Sequence, residues 1–224
     1  ADLAADALLL QRLSAARPDY GWLSEETADS AERLSKRRLF VVDPIDGTRA
    51  FLRDAPWWSV CVAVVEDGQP IAAVVAAPHN DEVYAATVGA GATLNGQPIQ
   101  ASATGALEGC GMIGEARMFS HPSWPTPWPD MRLKRRYSTA YRMCLVASGA
   151  FDATLALVAK YDWDLAAADL IAREAGAFVG DHLGEGFSYN GVVPAQRSLV
   201  CAAPQIAPLI LARVQHIAIA KPGA

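Results

Sequence analysis

The sequence predicts a mixed α/β fold in which hairpins stand where a purely parallel fold would have crossover helices. Three observations predict it. Leu3, Leu9, Leu10 and Leu13 recur near helical spacing at the start of the chain. Short apolar runs between residues 39 and 87 alternate with turns, Asp67-Gly68 above all, a pair suited to a two-residue hairpin because both positions tolerate positive φ. Beyond residue 140, helical segments return between short strands.

Taken in order, Asp2–Ala16 reads as an amphipathic helix that ends before Pro18. Trp22-Leu23-Ser24 is a short strand, followed by Glu25-Glu26. Residues 39–42 suit a buried strand that stops at Asp43. Residues 59–65 and 69–77 flank Asp67-Gly68 as a hairpin, 82–87 add a third strand, and Asn95-Gly96 marks another turn. Four prolines make 121–130 a loop. Helices are expected over 141–147, over 164–175 with Gly176 as the stop, and over 208–218 with its proline in the first turn. Strands are expected over 153–157 and 198–201.

The 224 residues are 52% hydrophobic and 19% charged, which fits a globular chain with a real core. Nineteen basic against 24 acidic side chains leave a net charge of −5, which argues against a general nucleic-acid or membrane-surface binder. The basic runs at 36–38 and 134–136 read as solvated faces. No apolar stretch approaches the ~18 residues of a membrane span. The chain opens Ala1-Asp2-Leu3 without Met or a signal-peptide pattern and runs straight into a helix, so further N-terminal sequence is expected ahead of it. Cys61, Cys110, Cys144 and Cys201 form no Cys-x-x-Cys pair; buried reduced thiols, and hence the cytoplasm, are the expectation.

The chemistry centres on Asp43-Pro44-Ile45-Asp46-Gly47-Thr48. Two carboxylates three residues apart at the end of an apolar strand repel one another unless a cation neutralises them, and oxygen ligands suit Mg²⁺. Gly47 permits close backbone approach, and the Gly47 and Thr48 N–H groups would bind an anion if a helix starts there. Taken alone, Asp43 would shape a turn and Asp46 would cap a helix; the six residues together read as equipment for phosphate-ester chemistry. Glu25-Glu26 alone would be a solvated turn, Asp164 an N-cap, and Asp2 and Asp6 ordinary helix-surface acids. Trp57-Trp58 and Trp124/Trp128 read as packing residues that could border a pocket. The run Gly109-Cys110-Gly111-Met112-Ile113-Gly114 fits a dinucleotide pattern, but a proline loop follows where a helix is required. The four histidines lack zinc-ligand spacing, and no Gly-x-Ser-x-Gly occurs.

Together these pieces resemble the inositol monophosphatase superfamily of Mg²⁺-dependent, lithium-sensitive phosphatases. Asp43 to Thr48 is similar to its first signature; Trp163-Asp164-Leu165-Ala166-Ala167-Ala168 with Glu174-Ala175-Gly176 resembles its second; Leu23-Ser24-Glu25-Glu26 resembles its upstream Glu-Glu element. Ala177 departs from the second Gly usual there. The resemblance covers essentially the whole chain. It implies a layered α-β-α-β-α sandwich with two sheets, one phosphatase unit over 1–224 with a metal-binding half at roughly 1–135 and a smaller half at roughly 136–224 that closes the site. It also implies two to three Mg²⁺ ions: Glu25, Asp43 and the Ile45 carbonyl on the first, Asp43, Asp46 and Asp164 on the second, with Glu25 sharing a weaker third. Asp2 and Thr48 would orient the attacking water, and the Gly47 and Thr48 N–H groups would hold the phosphate.

For substrate, the resemblance points to a small phosphorylated metabolite. Thr48-Arg49-Ala50-Phe51 is closer to the 3′(2′),5′-bisphosphate nucleotidases than to inositol phosphatases, although Ala50 lacks the usual Glu and histidinol-phosphatase members also tolerate Arg-Ala-Phe. Leu157 stands where inositol-type members place a polyol-binding Glu, and Arg142 where nucleotidases often have Lys. Arg49 and Arg142 read equally well as surface residues or as contacts for a second phosphate. The expectation is a nucleotidase acting on 3′-phosphoadenosine 5′-phosphate, with inositol-1-monophosphatase or histidinol-phosphatase as alternatives. A regulatory binding protein on the same fold is the alternative of another class, and a homodimer is left open.

Overall fold

A computed structural model describes residues 1–223. Seven strands form the first sheet in sequence order: β1 (Gly21–Ser24), β2 (Arg38–Asp46), β3 (Ser59–Glu66), β4 (Gln69–Ala77), β5 (Glu82–Thr87), β6 (Ala92–Leu94) and β7 (Gln97–Ile99). Only β1 and β2 run parallel; the remaining neighbours are antiparallel. The predicted turns close two of the hairpins: Asp67 and Gly68, and Asn95 and Gly96, all have positive φ.

The second sheet collects β8 (Gly111–Ile113), β9 (Arg132–Lys134), β10 (Ala153–Ala156), β12 (Phe178–Gly180) and β14 (Leu199–Ala202) in the order β12-β14-β10-β8-β9. A two-stranded ladder pairs β11 (Lys160–Tyr161) with β13 (Ala195–Gln196). Helices α4 (Thr139–Ala147) and α5 (Asp162–Glu174) lie together between the sheets, α1 (Asp2–Ala16) packs on β2, and α6 (Ala207–Val214) packs on β14. The result is the expected α-β-α-β-α layering. Alternation along β2 makes it work: Leu39 and Val41 join the core shared with α4 and α5, while Phe40 turns the other way and packs on Tyr20 and Trp22. Val200, Ala202, Ile206 and Ile210 fill a second core under α6.

Several boundaries differ from expectation. The strand over 39–42 continues to Asp46. The helix expected from 164 starts at Asp162, so Asp164 is not its N-cap. The last helix stops at Val214 rather than 218. The leucine stripe of α1 is not its buried face: Leu3 is 68% exposed, and Asp6 is the buried residue of that helix, accepting from Ser24 Oγ and Thr27 Oγ1. The glycine run at 109–114 is buried strand β8 followed by the four-residue α3 (Ala116–Phe119), not a phosphate loop. All four cysteines are buried free thiols. No helix among the described residues is long and apolar enough to cross a membrane.

Candidate active site

Asp43 and Asp46 owe their common orientation to a bulge. Residues three apart on a regular strand point to opposite faces. Here Asp43 pairs with Cys61 and Asp46 with Ser59, so the β2 segment carries one residue more than its partner. The extra residue restores the parity, and both carboxylates face α4 and α5. Pro44, which has no N–H to lose, sits inside the bulge.

Helix α4 then holds one of them. Asp46 accepts hydrogen bonds from Ser138 Oγ (2.5 Å) and from the N–H groups of Thr139 (3.1 Å) and Ala140 (2.6 Å). Ser138 is the N-cap of α4, accepting from the Tyr141 N–H, and its hydroxyl also meets Ser59 Oγ at 3.0 Å. Asp164, at the third position of α5, accepts from the Tyr161 N–H at 3.1 Å and lies 3.9 Å from Lys160 Nζ. One carboxylate oxygen from each of Asp43, Asp46 and Asp164 lies within 4.8 Å of the others. Among the described residues this is the one acidic group with metal-ligand spacing, and no histidine joins it.

Glu25 arrives through β1, whose parallel pairing continues as the Glu25 N–H donates to the Val42 carbonyl. Burial, then the charges of Asp164, Asp2 and Glu26, push its carboxyl up to about 7. Burial and Asp164 push Asp46 up to about 6 against the pull of its hydrogen bonds. Asp43 is raised well above the carboxylate range by burial, then Asp46, Glu25, Asp164 and Asp2. Both oxygens of Asp43 and Oδ1 of Asp2 are buried without a hydrogen-bond partner. Orphaned buried carboxylate oxygens are costly, and a divalent cation held by the Asp43 cluster would relieve that cost there. The donor set therefore fits a hard, oxygen-liganded ion. The Ile45 carbonyl accepts from Thr48 Oγ1 at 3.3 Å.

Beside the carboxylates lies a cavity of about 410 Å³. Gly47, Thr48, Arg49 and Arg142 line it. Gly47 has φ +92°, and a Cβ there would sit 3.0 Å from the Trp57 carbonyl oxygen and 3.1 Å from Ser138, so both conformation and space demand glycine. Arg142 donates to the Ser138 carbonyl and Thr139 Oγ1, both at 3.2 Å. Five more lining residues were not expected there: Gly114, Glu115, Arg135, Arg136 and Tyr137. The run 134–136 is thus not simply a solvated face; the signal was its position just before the Ser138 cap. Leu157 does not line this cavity. It packs on the second core and borders a separate cavity of about 290 Å³ with Trp124 and His216. Another cavity, about 570 Å³ between Trp124 and α6, contains none of the cluster carboxylates.

The model of the inositol monophosphatase family matches residues 1–218. The chain belongs to that family. It is 34% identical to the Nus factor SuhB of Xylella fastidiosa, a match covering 82% of this chain and 68% of that protein. It is 32% identical to an inositol-1-monophosphatase of Mesorhizobium japonicum (89% and 78% covered). It is 33% identical to a histidinol-phosphatase of Mycobacterium tuberculosis (86% and 80% covered). The solved structures of suhB from Bartonella henselae and of a Thermotoga maritima IMPase each superpose with TM-score 0.80, at 28% and 27% identity, over 96% of this chain and 87% and 81% of theirs. As an inositol monophosphatase family member the chain is a metal-dependent phosphoric monoester hydrolase, and the acidic cluster is the place in it that could bind the metal.

Proposed function

We propose that this phosphatase uses Mg²⁺ to hydrolyse a small phosphorylated metabolite by direct attack of water, with a 3′(2′),5′-bisphosphate such as 3′-phosphoadenosine 5′-phosphate as substrate. The observation that carries it is the set of partnerless carboxylate oxygens on Asp2 and Asp43 beside an arginine-lined cavity. Glu25, Asp43 and the Ile45 carbonyl would hold one ion, and Asp43, Asp46 and Asp164 another, with Glu25 shared by a third. When bound, Mg²⁺ neutralises the phosphate and acidifies water. The chain supplies the rest. Asp2 and Thr48 would orient the attacking water, with Asp2 as the acceptor of its proton. The Gly47 and Thr48 N–H groups hold the phosphate oxygens, and Arg49 and Arg142 meet a second anionic group. No serine or cysteine is needed as nucleophile: Ser138 is fully buried in its capping role, and Cys61 is a buried thiol whose pKa burial pushes up. The four buried free thiols support a cytoplasmic setting.

The test is phosphate release from 3′-phosphoadenosine 5′-phosphate, inositol 1-phosphate and histidinol phosphate, with and without Mg²⁺. The bisphosphate should have the highest kcat/KM, and millimolar Li⁺ should inhibit. Asp43→Asn should lose more than the ~10–100-fold that changes in outer-shell partners of a metal site cost. A variant retaining wild-type turnover would overturn the ligand assignment. The relatives named Nus factor favour one second reading, a regulatory binding protein; absence of Mg²⁺-dependent release on every substrate would favour it.

A further inference from the structure

Four guanidinium groups border the cavity beside Gly47 and Thr48, against one carboxylate, Glu115. Two of the four are engaged by protein groups. Arg135 pairs with Glu115 at 3.2 Å and lies over the Tyr137 ring at 5.0 Å. Arg142 uses Nε and Nη2 on Ser138 and Thr139. Arg49 extends into solvent from the first turn of α2 (Thr48–Phe51). Arg136 differs. Its guanidinium stacks over the Trp57 indole at 4.1 Å, and Nη1 donates to the Arg135 carbonyl at 2.8 Å. No carboxylate lies within ion-pair distance of it among the described residues.

Trp57 is itself fixed. Its carbonyl accepts from the Ser138 N–H at 3.3 Å and lies against Gly47, so the backbone that carries the indole is tied both to the phosphate-facing turn and to the cap of α4. A guanidinium seated over such a wall borders the cavity, with Nε and Nη2 making no hydrogen bond to the protein among the described residues. That is the preorganised fork that suits a phosphate and that a lysine cannot supply. We propose that Arg136, positioned by Trp57, reads the second, uncleaved phosphate of a bisphosphate substrate. This rests on the phosphatase reading above and adds a specificity-determining residue to it. A neutral polyol would leave the fork without an anion.

The experiment compares kcat/KM on 3′-phosphoadenosine 5′-phosphate with that on adenosine 3′-phosphate, which carries the same cleaved ester and lacks the second phosphate. In Arg136→Ala the ratio of the two should fall by about tenfold or more, through KM for the bisphosphate. Arg136→Lys should recover only part of it. Trp57→Leu should lower the ratio in the same way, and Trp57→Phe, which keeps an aromatic face, should restore most of it. A ratio unchanged in Arg136→Ala overturns the proposal, as does a wild type with no preference for the bisphosphate, while Mg²⁺-dependent hydrolysis of either substrate leaves the phosphatase reading standing. If wild type hydrolyses neither substrate with Mg²⁺, both readings fall.

Discussion

Ser138 shows how much one small side chain arranges. Its hydroxyl donates to Asp46, accepts from the Tyr141 N–H and meets Ser59, so it caps α4 and aims a carboxylate at once. Ser138→Ala should cost about 1 kcal/mol of stability through the lost cap and ~10–100-fold in Mg²⁺ affinity through the loosened carboxylate. Thermal unfolding and titration calorimetry would separate the two; a loss of stability with intact affinity would confine Ser138 to capping. At this scale the clustering carboxylates Asp43, Asp46 and Asp164 were legible in the sequence, because oxygen donors at signature spacing are residue types. Ser59, Ser138 and Arg136 were not. Their roles depend on which hydroxyl or guanidinium meets which partner 79 or more residues away, as Ser59 meets Ser138, and no local pattern encodes that.

Among the elements, strands of four or more residues and α-helices longer than one turn were legible, and strands of three residues or fewer were not. Strand β3 alternates over eight residues and β4 over its last five, whereas β8, β9 and β12 have three each, too few to display a period. Such short strands are held by side chains instead. Asp152, just before β10, accepts from Ser102 Oγ (2.5 Å), Thr104 Oγ1 (2.6 Å) and the Gly111 N–H (2.6 Å) and lies 3.7 Å from Arg132. Burial opposes its charge, but these partners outweigh it and its carboxyl sits below the usual value. Asp152→Ala should therefore destabilise the protein by about 2–4 kcal/mol in urea unfolding at neutral pH. The sign of its pH dependence follows: the contribution is present above the unfolded carboxylate pKa near ~3.9 and fades as pH falls through the depressed folded value. A wild-type-like midpoint for the variant would mean the loop over 101–104 is held by something else.

For the whole molecule, the carboxylate cluster sets an opposite slope. Glu25 at about 7 and Asp46 at about 6, with Asp43 raised as well, bind protons more tightly in the folded chain than in the unfolded one. Without metal, folding stability should be greatest below the unfolded carboxylate values and fall as pH rises toward about 7. Mg²⁺ should cancel that fall, so the rise in Tm on adding it to chelator-treated protein should be larger at pH 7.5 than at pH 5. An equal rise at both would show that the cluster is not where the ion binds. The layering was legible through the family resemblance, but the middle layer's part was not. Helices α4 and α5 fix Asp46 and carry Asp164 while packing between both sheets, so the site draws on packing that no single motif records.

The bulge in β2 has one more consequence, and it concerns chain length. Deleting Ile45 would bring Asp43 and Asp46 two residues apart, where an unbroken pleat already points both carboxylates the same way. Orientation of the acids alone would thus be served by a shorter chain. What the shorter chain would forfeit is a main-chain oxygen: an uninterrupted ladder commits each carbonyl to a neighbouring strand or to solvent, while the supernumerary residue of a bulge is left unpaired. Ile45 is not among the register partners of β3, and its carbonyl meets only the light, 3.3 Å contact of Thr48 Oγ1. Under the proposed ligation that carbonyl would add an uncharged donor to a crowd of like charges without deepening their repulsion, and it would come from the backbone, where side-chain substitution cannot remove it.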